Sequence, residues 1–478
     1  MKKNLLALFL PGLMLFSASS SLFAQEAWSL QRCIGFALEQ NLTIKQAQAN
    51  VKTAQLSESQ AKAMRLPGIN ANSNLGEQFG RTIDPTTNAF VNSGITFNSI
   101  NLNANLPIYS GGQVNHSIQQ AKYESKAAEA DLSQATNTLA LQVASAYLNI
   151  LLSDEQLNNA RNQAELSRIQ LANTEKLIAA GNLPAADRYN VEAQIARDEQ
   201  NVVNAENSLD LAYLAIKQLM QMEPDVPMVI ERPAILVPSV DYGAMTLSQV
   251  YAIAGGTQPN VAASELRIKS AEKGISIARS AYFPTVALFG NISSNYSSQF
   301  KTFEATGNQV VQEQTVIIQG NPVTVGFPQP EYITKDKPYF DQLNETFGQG
   351  IGLNVSVPIY QNGRSRLSVE RARLGLLNAQ LQNNQIRQQL KNDIQAALSN
   401  VKAGKKQLDA AQKTYDASLT AFNNMEKRHA IGAINTLELN TSRSNLDIAA
   451  NNLTVARYNY LFRIKILEFY LGKPLLLN

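Results

Sequence analysis

The chain is poor in the residues from which most enzyme and metal sites are built. It holds one cysteine (Cys33), one tryptophan and two histidines (His116 and His429) among 478 residues. No His/Cys ligand set, Cys/His pair or Ser/His/Asp constellation can be assembled from that stock, so no catalytic residue, cofactor or metal is expected. A lone thiol also cannot close an internal disulfide. Charge is scarce as well: 41 Lys plus Arg stand against 38 Asp plus Glu, for a net +3 with the signs intermixed. That balance lacks the basic footprint of a nucleic-acid binder. Beyond the N-terminal segment no run of ~18 apolar residues occurs, which argues against a helical membrane protein. Asn, Gln, Ala and Ser occupy the space that charges usually fill.

What is present begins with a leader. Lys2 and Lys3 precede an apolar run from Leu5 to Phe16, followed by Ser-rich sequence up to Ala24. Residues 1–24 read as a signal peptide, with Gln25 starting the mature chain. Leu30-Gln31-Arg32-Cys33 has the outline of a lipoprotein box, but Arg32 is bulky and charged where a small residue is needed.

The mature chain is one unit written twice. At an offset of 217, Ser29-Leu30 falls on Thr246-Leu247, Ala37 on Ala254 and Pro67 on Pro284. At an offset of 251, Leu106-Pro107-Ile108-Tyr109 falls on Val357-Pro358-Ile359-Tyr360, Gly112 on Gly363 and Gly181 on Gly432. The spacing predicts a first repeat over 25–223, a Pro-rich connector over 224–245 and a second repeat over 246–478. Each repeat reads as a helix, two strands, a long helix and a shorter helix. Gln113 to Ala180 contains neither Gly nor Pro, enough for a continuous helix of ~100 Å at 1.5 Å per residue. Small and large apolar residues recur along it at spacings of four and three, from Leu139, Val143, Ala146 and Ile150 to Ser167 and Leu171. The matching segment repeats the pattern from Leu390, Ile394, Ala397 and Val401 to Phe422. This heptad seam predicts rods packed side by side.

The strand segments alternate. Ile100, Leu102, Ala104 and Leu106 are interleaved with Asn101, Asn103 and Asn105. Ile351, Leu353, Val355 and Val357 are interleaved with Gly350, Gly352, Asn354 and Ser356. An apolar face backed by Asn, Ser and Gly suits lipid outside and water inside. Four strands leave open edges that a bilayer does not tolerate, so the barrel must be shared between subunits, a dimer supplying eight strands and a trimer twelve.

With its duplicated helix-strand-strand-helix-helix unit, strand-bounding prolines (Pro67, Pro107, Pro284, Pro358), paired Pro-Ile-Tyr-x-x-Gly runs and turn glycines Gly181 and Gly432, the chain resembles the TolC-type outer-membrane factor family over nearly its whole mature length. The resemblance implies a fold that is mainly α with membrane β: a homotrimer with a 12-stranded outer-membrane β-barrel continued by a long periplasmic α-helical barrel. It also implies a passive exit channel for tripartite efflux or type I secretion in the outer membrane of a Gram-negative bacterium. Its partners would be outer-membrane lipid, a periplasmic adaptor (membrane fusion) protein and an inner-membrane transporter of RND or ABC type, with no nucleic acid. A periplasm-spanning scaffold or adhesin without conduction is the alternative reading of the same rods.

In that family the helical tip turns carry docking and gating residues, with an acidic residue six positions after each turn glycine. Here these are Asp187 after Gly181 and Glu438 after Gly432. The family's second acidic position falls on Thr441, and the tyrosine and arginine of its best-known latch fall on His429 and Ile434. The tip candidates are therefore Gly181, Asp187, Arg428, His429, Gly432 and Glu438. Carboxylates in a first helical turn also favour the helix dipole by about 0.3–1 kcal/mol, which by itself accounts for an acidic residue there. The second repeat carries an insertion near 301–346, expected to be an extracellular loop with a weak hairpin pattern around Val310-Val311 and Thr315 to Ile318.

Overall fold

The computed structural model describes residues 27–83, 88–92, 94–232 and 242–473. The expected signal peptide and residues 233–241 of the connector lie outside the described residues. The element order repeats. Helices α1 (Leu30–Gln40), α2 (Leu42–Ala63), α3 (Gln113–Ala179) and α4 (Ala186–Met220) have 11, 22, 67 and 35 residues. Their counterparts α5 (Leu247–Thr257), α6 (Pro259–Ser280), α8 (Arg364–Ala430) and α9 (Thr436–Tyr470) have the same lengths. A short helix, α7 (Tyr339–Glu345), belongs to the second copy alone among the described residues.

Where one helix was expected at the head of each repeat, there are two. Asn41 ends α1 in extended conformation, and its side-chain Oδ1 accepts the Thr43 amide at 2.8 Å, opening α2. In the second copy Gln258 is extended before Pro259, which places a proline in the first helical turn. Both repeats also start on a side-chain cap: Ser29 accepts the Arg32 amide, and Thr246 with Gln249 forms a capping box.

By compactness the chain divides into two units that cut across the repeats. One comprises Met1–Ala49, Asp131–Asn260 and Arg387–Asn478; the other comprises Asn50–Ala130 and Val261–Ile386. The first unit is helical. Its core joins Leu30, Cys33 and Ala37 to Val143, Tyr147 and Ile150 of α3, Ile216 and Met220 of α4, and Ile230 of the connector. Trp28 and Ile230 form a parallel bridge, and the Tyr147 hydroxyl donates to the carbonyls of Trp28 and Glu231 at 3.1 and 2.6 Å. Most of the expected α3 seam is buried, from Leu139 through Val143, Ile150, Leu157 and Ala164 to Ser167, as are Leu390, Ile394 and Val401 of α8. No helix among the described residues is long and apolar enough to cross a membrane.

The second unit is built on an antiparallel sheet of β1 (Gly68–Gln78), β4 (Ile95–Ser110), β5 (Thr285–Ser297) and β8 (Gly348–Ser356), in that order. The joint between repeats is β4 against β5, which aligns Leu102 with Ile292 and Asn103 with Asn291. One face carries Ala71, Leu102, Leu288, Ile292 and Leu353. The other carries Asn72, Asn101, Asn103, Asn291, Gly350 and Gly352, and no ionisable residue. A two-stranded ribbon of β2 (Arg81–Ile83) and β3 (Phe90–Asn92) completes the first copy.

The insertion is more ordered than the expected loop. Its first part is a long hairpin, β6 (Lys301–Ile318) with β7 (Asn321–Asp336), turning at Gln319 and Gly320, both left-handed. Its second part is α7, which takes over where β8 stops pairing with β5. There Thr346 Oγ1 accepts the Asn295 amide at 3.0 Å and donates to its carbonyl, while Gln342 Oε1 accepts the Ser297 amide at 3.0 Å. The Tyr339 ring packs at a tilt against Tyr296, centroids 5.0 Å apart, and its hydroxyl donates to Asn98 Oδ1 at 2.6 Å. Residues 337–346 therefore belong to the sheet wall, because they satisfy backbone groups that an ended strand leaves open.

Candidate functional site

At the tip both long helices end alike. The Gly181 amide donates to Ile178 O and the Asn182 amide to Leu177 O; the Gly432 amide donates to His429 O and the Ala433 amide to Arg428 O, each at 2.9 Å. Gly181 and Gly432 have φ of +75° and +70°. This is the Schellman stop, and it needs a residue free to adopt left-handed backbone, hence glycine. The restarts differ. Asn435 accepts the Glu438 amide on Oδ1 at 2.8 Å and donates from Nδ2 to Glu438 Oε1 at 3.2 Å. The corresponding position in the first copy is Pro184, whose carbonyl accepts the Asp187 amide at 3.1 Å. Asp187 and Glu438 thus both lie in the first turn of their helices.

Of the remaining tip candidates, Arg428 and His429 sit in the last turn of α8, and His429 Nε2 lies 3.4 Å from Thr436 Oγ1. Among the described residues no ion pair joins Asp187 to Arg428 or His429 within the protomer. Thr441 is turned back on its own helix, donating to Leu437 O at 2.8 Å. The tip pairs α3 with α4 through Arg188, 2.8 Å from Glu192 and 3.7 Å from Glu175. These glutamates raise the Arg188 pKa above its ordinary value, through the hydrogen bond to Glu192 first.

Two turns into α9 lies a group of residues that the one-dimensional reading did not single out. Arg443 is 6% exposed and Asp198 of α4 is 2% exposed. Arg443 donates to Gln170 Oε1 at 2.9 Å and to the Gln163 carbonyl at 3.1 Å, both on α3, and Gln170 donates to Asn440 Oδ1 at 2.8 Å. Asp198 accepts from Ser167 Oγ and from Gln194 Nε2. Burial pushes the Asp447 carboxyl up to about 6; Asp198 adds to the rise and Arg443 opposes it. Burial likewise lowers the Arg443 pKa, against the pull of Asp447, Asp198 and Glu426. The legible signal was slight: Ser167 sat in the apolar seam with a hydroxyl that needed a partner.

Neither the tip nor the buried group has the make-up of a reaction centre, and among the described residues no group of His, Cys, Asp or Glu is arranged to hold a metal ion. Their geometry is that of helix ends and of a fastening between helices.

The family model "Outer membrane efflux protein" matches residues 33–220 and 335–473. The outer membrane protein TolC of Escherichia coli is 25% identical over 342 residues, 70% of this chain and 61% of that protein. The chain thus spans about three-fifths of that relative's length. The outer membrane protein VceC of Vibrio cholerae superposes with a TM-score of 0.73 at 18% identity, over 94% of this chain and 97% of that one. CusC, described for its transmembrane channel formation, superposes with a TM-score of 0.72 at 17% identity, over 95% and 96%. The fold is theirs, a β domain with an α-helical barrel, and the family consists of channel proteins rather than enzymes. The chain belongs to the outer membrane efflux protein family, the TolC type, and is an outer-membrane protein.

Proposed function

We propose that the protein is a passive exit channel: three copies close a 12-stranded barrel, and their helices form a periplasmic tunnel that is narrowest at the Gly181 and Gly432 turns. It carries out no chemistry of its own. The adaptor engages the tip and an inner-membrane transporter supplies the energy, so the cargo is the transporter's choice. The observation that carries this reading is the four-stranded antiparallel sheet whose two outer edges, β1 and β8, are free among the described residues. Free edges are not tolerated in a bilayer. The repeat supplies the remedy, since β8 stands to the next copy's β1 as β4 stands to β5. The uncharged Asn, Ser and Gly face suits a water-filled lumen and argues against a plugged scaffold.

Asp187 and Glu438, each present three times around the axis, are assigned to the gate. Arg428 and His429 of a neighbouring copy are the proposed partners of Asp187. Planar-bilayer recordings test the reading. Asp187→Ala is expected to raise resting conductance, and Glu438→Ala to lower cation preference. A wild type that never conducts would reject the channel. Unchanged conductance and selectivity in both variants would reduce the two residues to helix-start carboxylates.

A further inference from the structure

The β6–β7 ribbon protects one of its long edges and leaves the other open. Near its base the ribbon is charged: Lys301 pairs with Asp336 and Lys335 with Glu304. A bulge at 306–308 follows, where Gly307 takes φ of +80° and Thr306 and Asn308 both donate to the Glu331 carboxylate. Beyond the bulge, from Gln309 to Pro330, Glu313 is the only ionisable residue.

The turn fixes which backbone groups point outward. A two-residue turn at Gln319 and Gly320 makes Ile318 and Asn321 a hydrogen-bonded pair, and bonded and open pairs then alternate along the ribbon. Ile317↔Pro322, Thr315↔Thr324, Glu313↔Gly326, Val311↔Pro328 and Gln309↔Pro330 are the open pairs, whose N–H and C=O groups turn away from the ribbon. On β7 this outward row holds Pro322, Pro328 and Pro330, which have no N–H to give, so a further strand cannot dock there. On β6 every member of the row keeps its N–H, and among the described residues β6 pairs with β7 only. The β6 edge is also apolar: Val310, Val311, Val316 and Ile318 are exposed, and Ile317 is 76% exposed. A proline-free, nearly uncharged, β-branched edge is a template for strand addition.

The occupant follows from symmetry and from the sequence of the edge. In a three-fold ring neighbours meet through unlike surfaces, so β6 of one copy would have to pair with β7 of the next, and the prolines prevent it. That exclusion rests on the proposed trimer. The strands of the other ribbon, β2 and β3, have three residues each and are too short to cover the edge. A second β6 fits. Laid antiparallel about Gln314, the edge sets Val311 against Ile317, Val310 against Ile318 and Gln312 against Val316. Glu313 falls opposite Thr315, so no like charges oppose. We infer that the outer edge of β6 is a docking site for β6 of a second trimer, the two ribbons joining into one four-stranded sheet.

Particle mass of the full detergent-solubilised assembly tests this. Thr315 and Thr324 lie opposite each other with both N–H groups outward, so proline at either removes no hydrogen bond of the ribbon itself. Wild type is expected as trimers that join into heavier particles as concentration rises. Thr315→Pro should leave single trimers, and Thr324→Pro should behave as wild type. Gln314→Cys falls on the two-fold axis, at a pair whose Cα atoms lie about 4.5 Å apart, within disulfide reach. Mild oxidation should therefore link chains of different trimers, and reduction should release them. Wild type that stays trimeric at every concentration, proline variants that behave alike, or a Gln314→Cys disulfide confined within single trimers overturns the inference. A Gln314→Cys link between particles whose unit is not three chains would instead reject the trimeric channel and leave the β6 joint standing.

Discussion

The Tyr242 hydroxyl donates to Glu468 Oε1 at 2.6 Å, tying the 3-10 turn at the end of the connector to the last turns of α9. Lys465 contacts the other carboxylate oxygen at 2.9 Å, and Lys473 donates to the Tyr242 hydroxyl at 3.1 Å. Burial works to raise the Glu468 pKa, but the Tyr242 hydroxyl and the two lysines outweigh it and hold the carboxyl below its ordinary value. Tyr242→Phe should cost about 1.5–3 kcal/mol, the range for a hydrogen bond to a charged acceptor. Because the folded value is lowered, this contribution is present above the ordinary carboxylate range and is lost as pH falls through the folded value. Thermal unfolding across pH checks both. A Glu468→Gln variant as stable as wild type at neutral pH would contradict the assignment.

Two glycines of α8 should respond oppositely to alanine. Around Gly375 a Cβ would meet nothing within 4 Å, so Gly375→Ala should gain about 1 kcal/mol from helix propensity. At Gly404 a Cβ would come to 3.1 Å from Arg463 Cδ and 3.2 Å from Tyr460 Cδ2. Arg463 lies there to donate to the Asn400 carbonyl and to Gln407 Oε1, both at 3.1 Å. Gly404→Ala should therefore lose about 1 kcal/mol net. Denaturant titration of the two variants side by side decides it.

The repeat also predicts the register between copies. Within the chain Leu102 lies opposite Ile292. Moving Leu102 forward by 251 gives Leu353, and moving Ile292 back by 217 gives Leu75. Oxidation of a Leu353→Cys/Leu75→Cys double variant should yield covalent trimers. Leu353→Cys with Asn74→Cys, which places the thiols on opposite faces, should not. Cys33 does not compete, being buried with its thiol pushed up to about 12. Failure of the first pair to link, with the trimer intact by mass, would reject the register.

Within the insertion, ribbon and helix should separate experimentally. Replacing Lys301–Asp336 by a short turn should leave assembly and conductance near normal, because a two-stranded ribbon contributes little stability by itself. Thr346→Val removes a hydroxyl bonded to both backbone groups of Asn295 and should cost about 1–3 kcal/mol. Trimer yield and thermal stability read out both changes, and a ribbon deletion that abolishes assembly would place β6 and β7 in the wall as well.

The sequence by itself determined the duplication, the long helices, the four wall strands and the glycine turns, since each rests on a local rule: a period, a cap, or a residue free to take positive φ. The two breaks in the head helices were not read, although Pro259 marks the one before α6; the break at Asn41 depends on an Asx turn whose side chain also reaches Leu219 O at 2.9 Å, across 178 residues of chain. Tertiary structure alone decided that α7 replaces strand pairing beside Asn295 and Ser297, because that follows from where β8 ends. It alone distinguished Arg443 and Asp198 from the many charged residues that these helices expose to water. Along the chain each is one more ionisable residue on a helix; enclosure is set by which helix packs against which, and enclosure turns their charges from solvated ornaments of a helix into terms that set its packing.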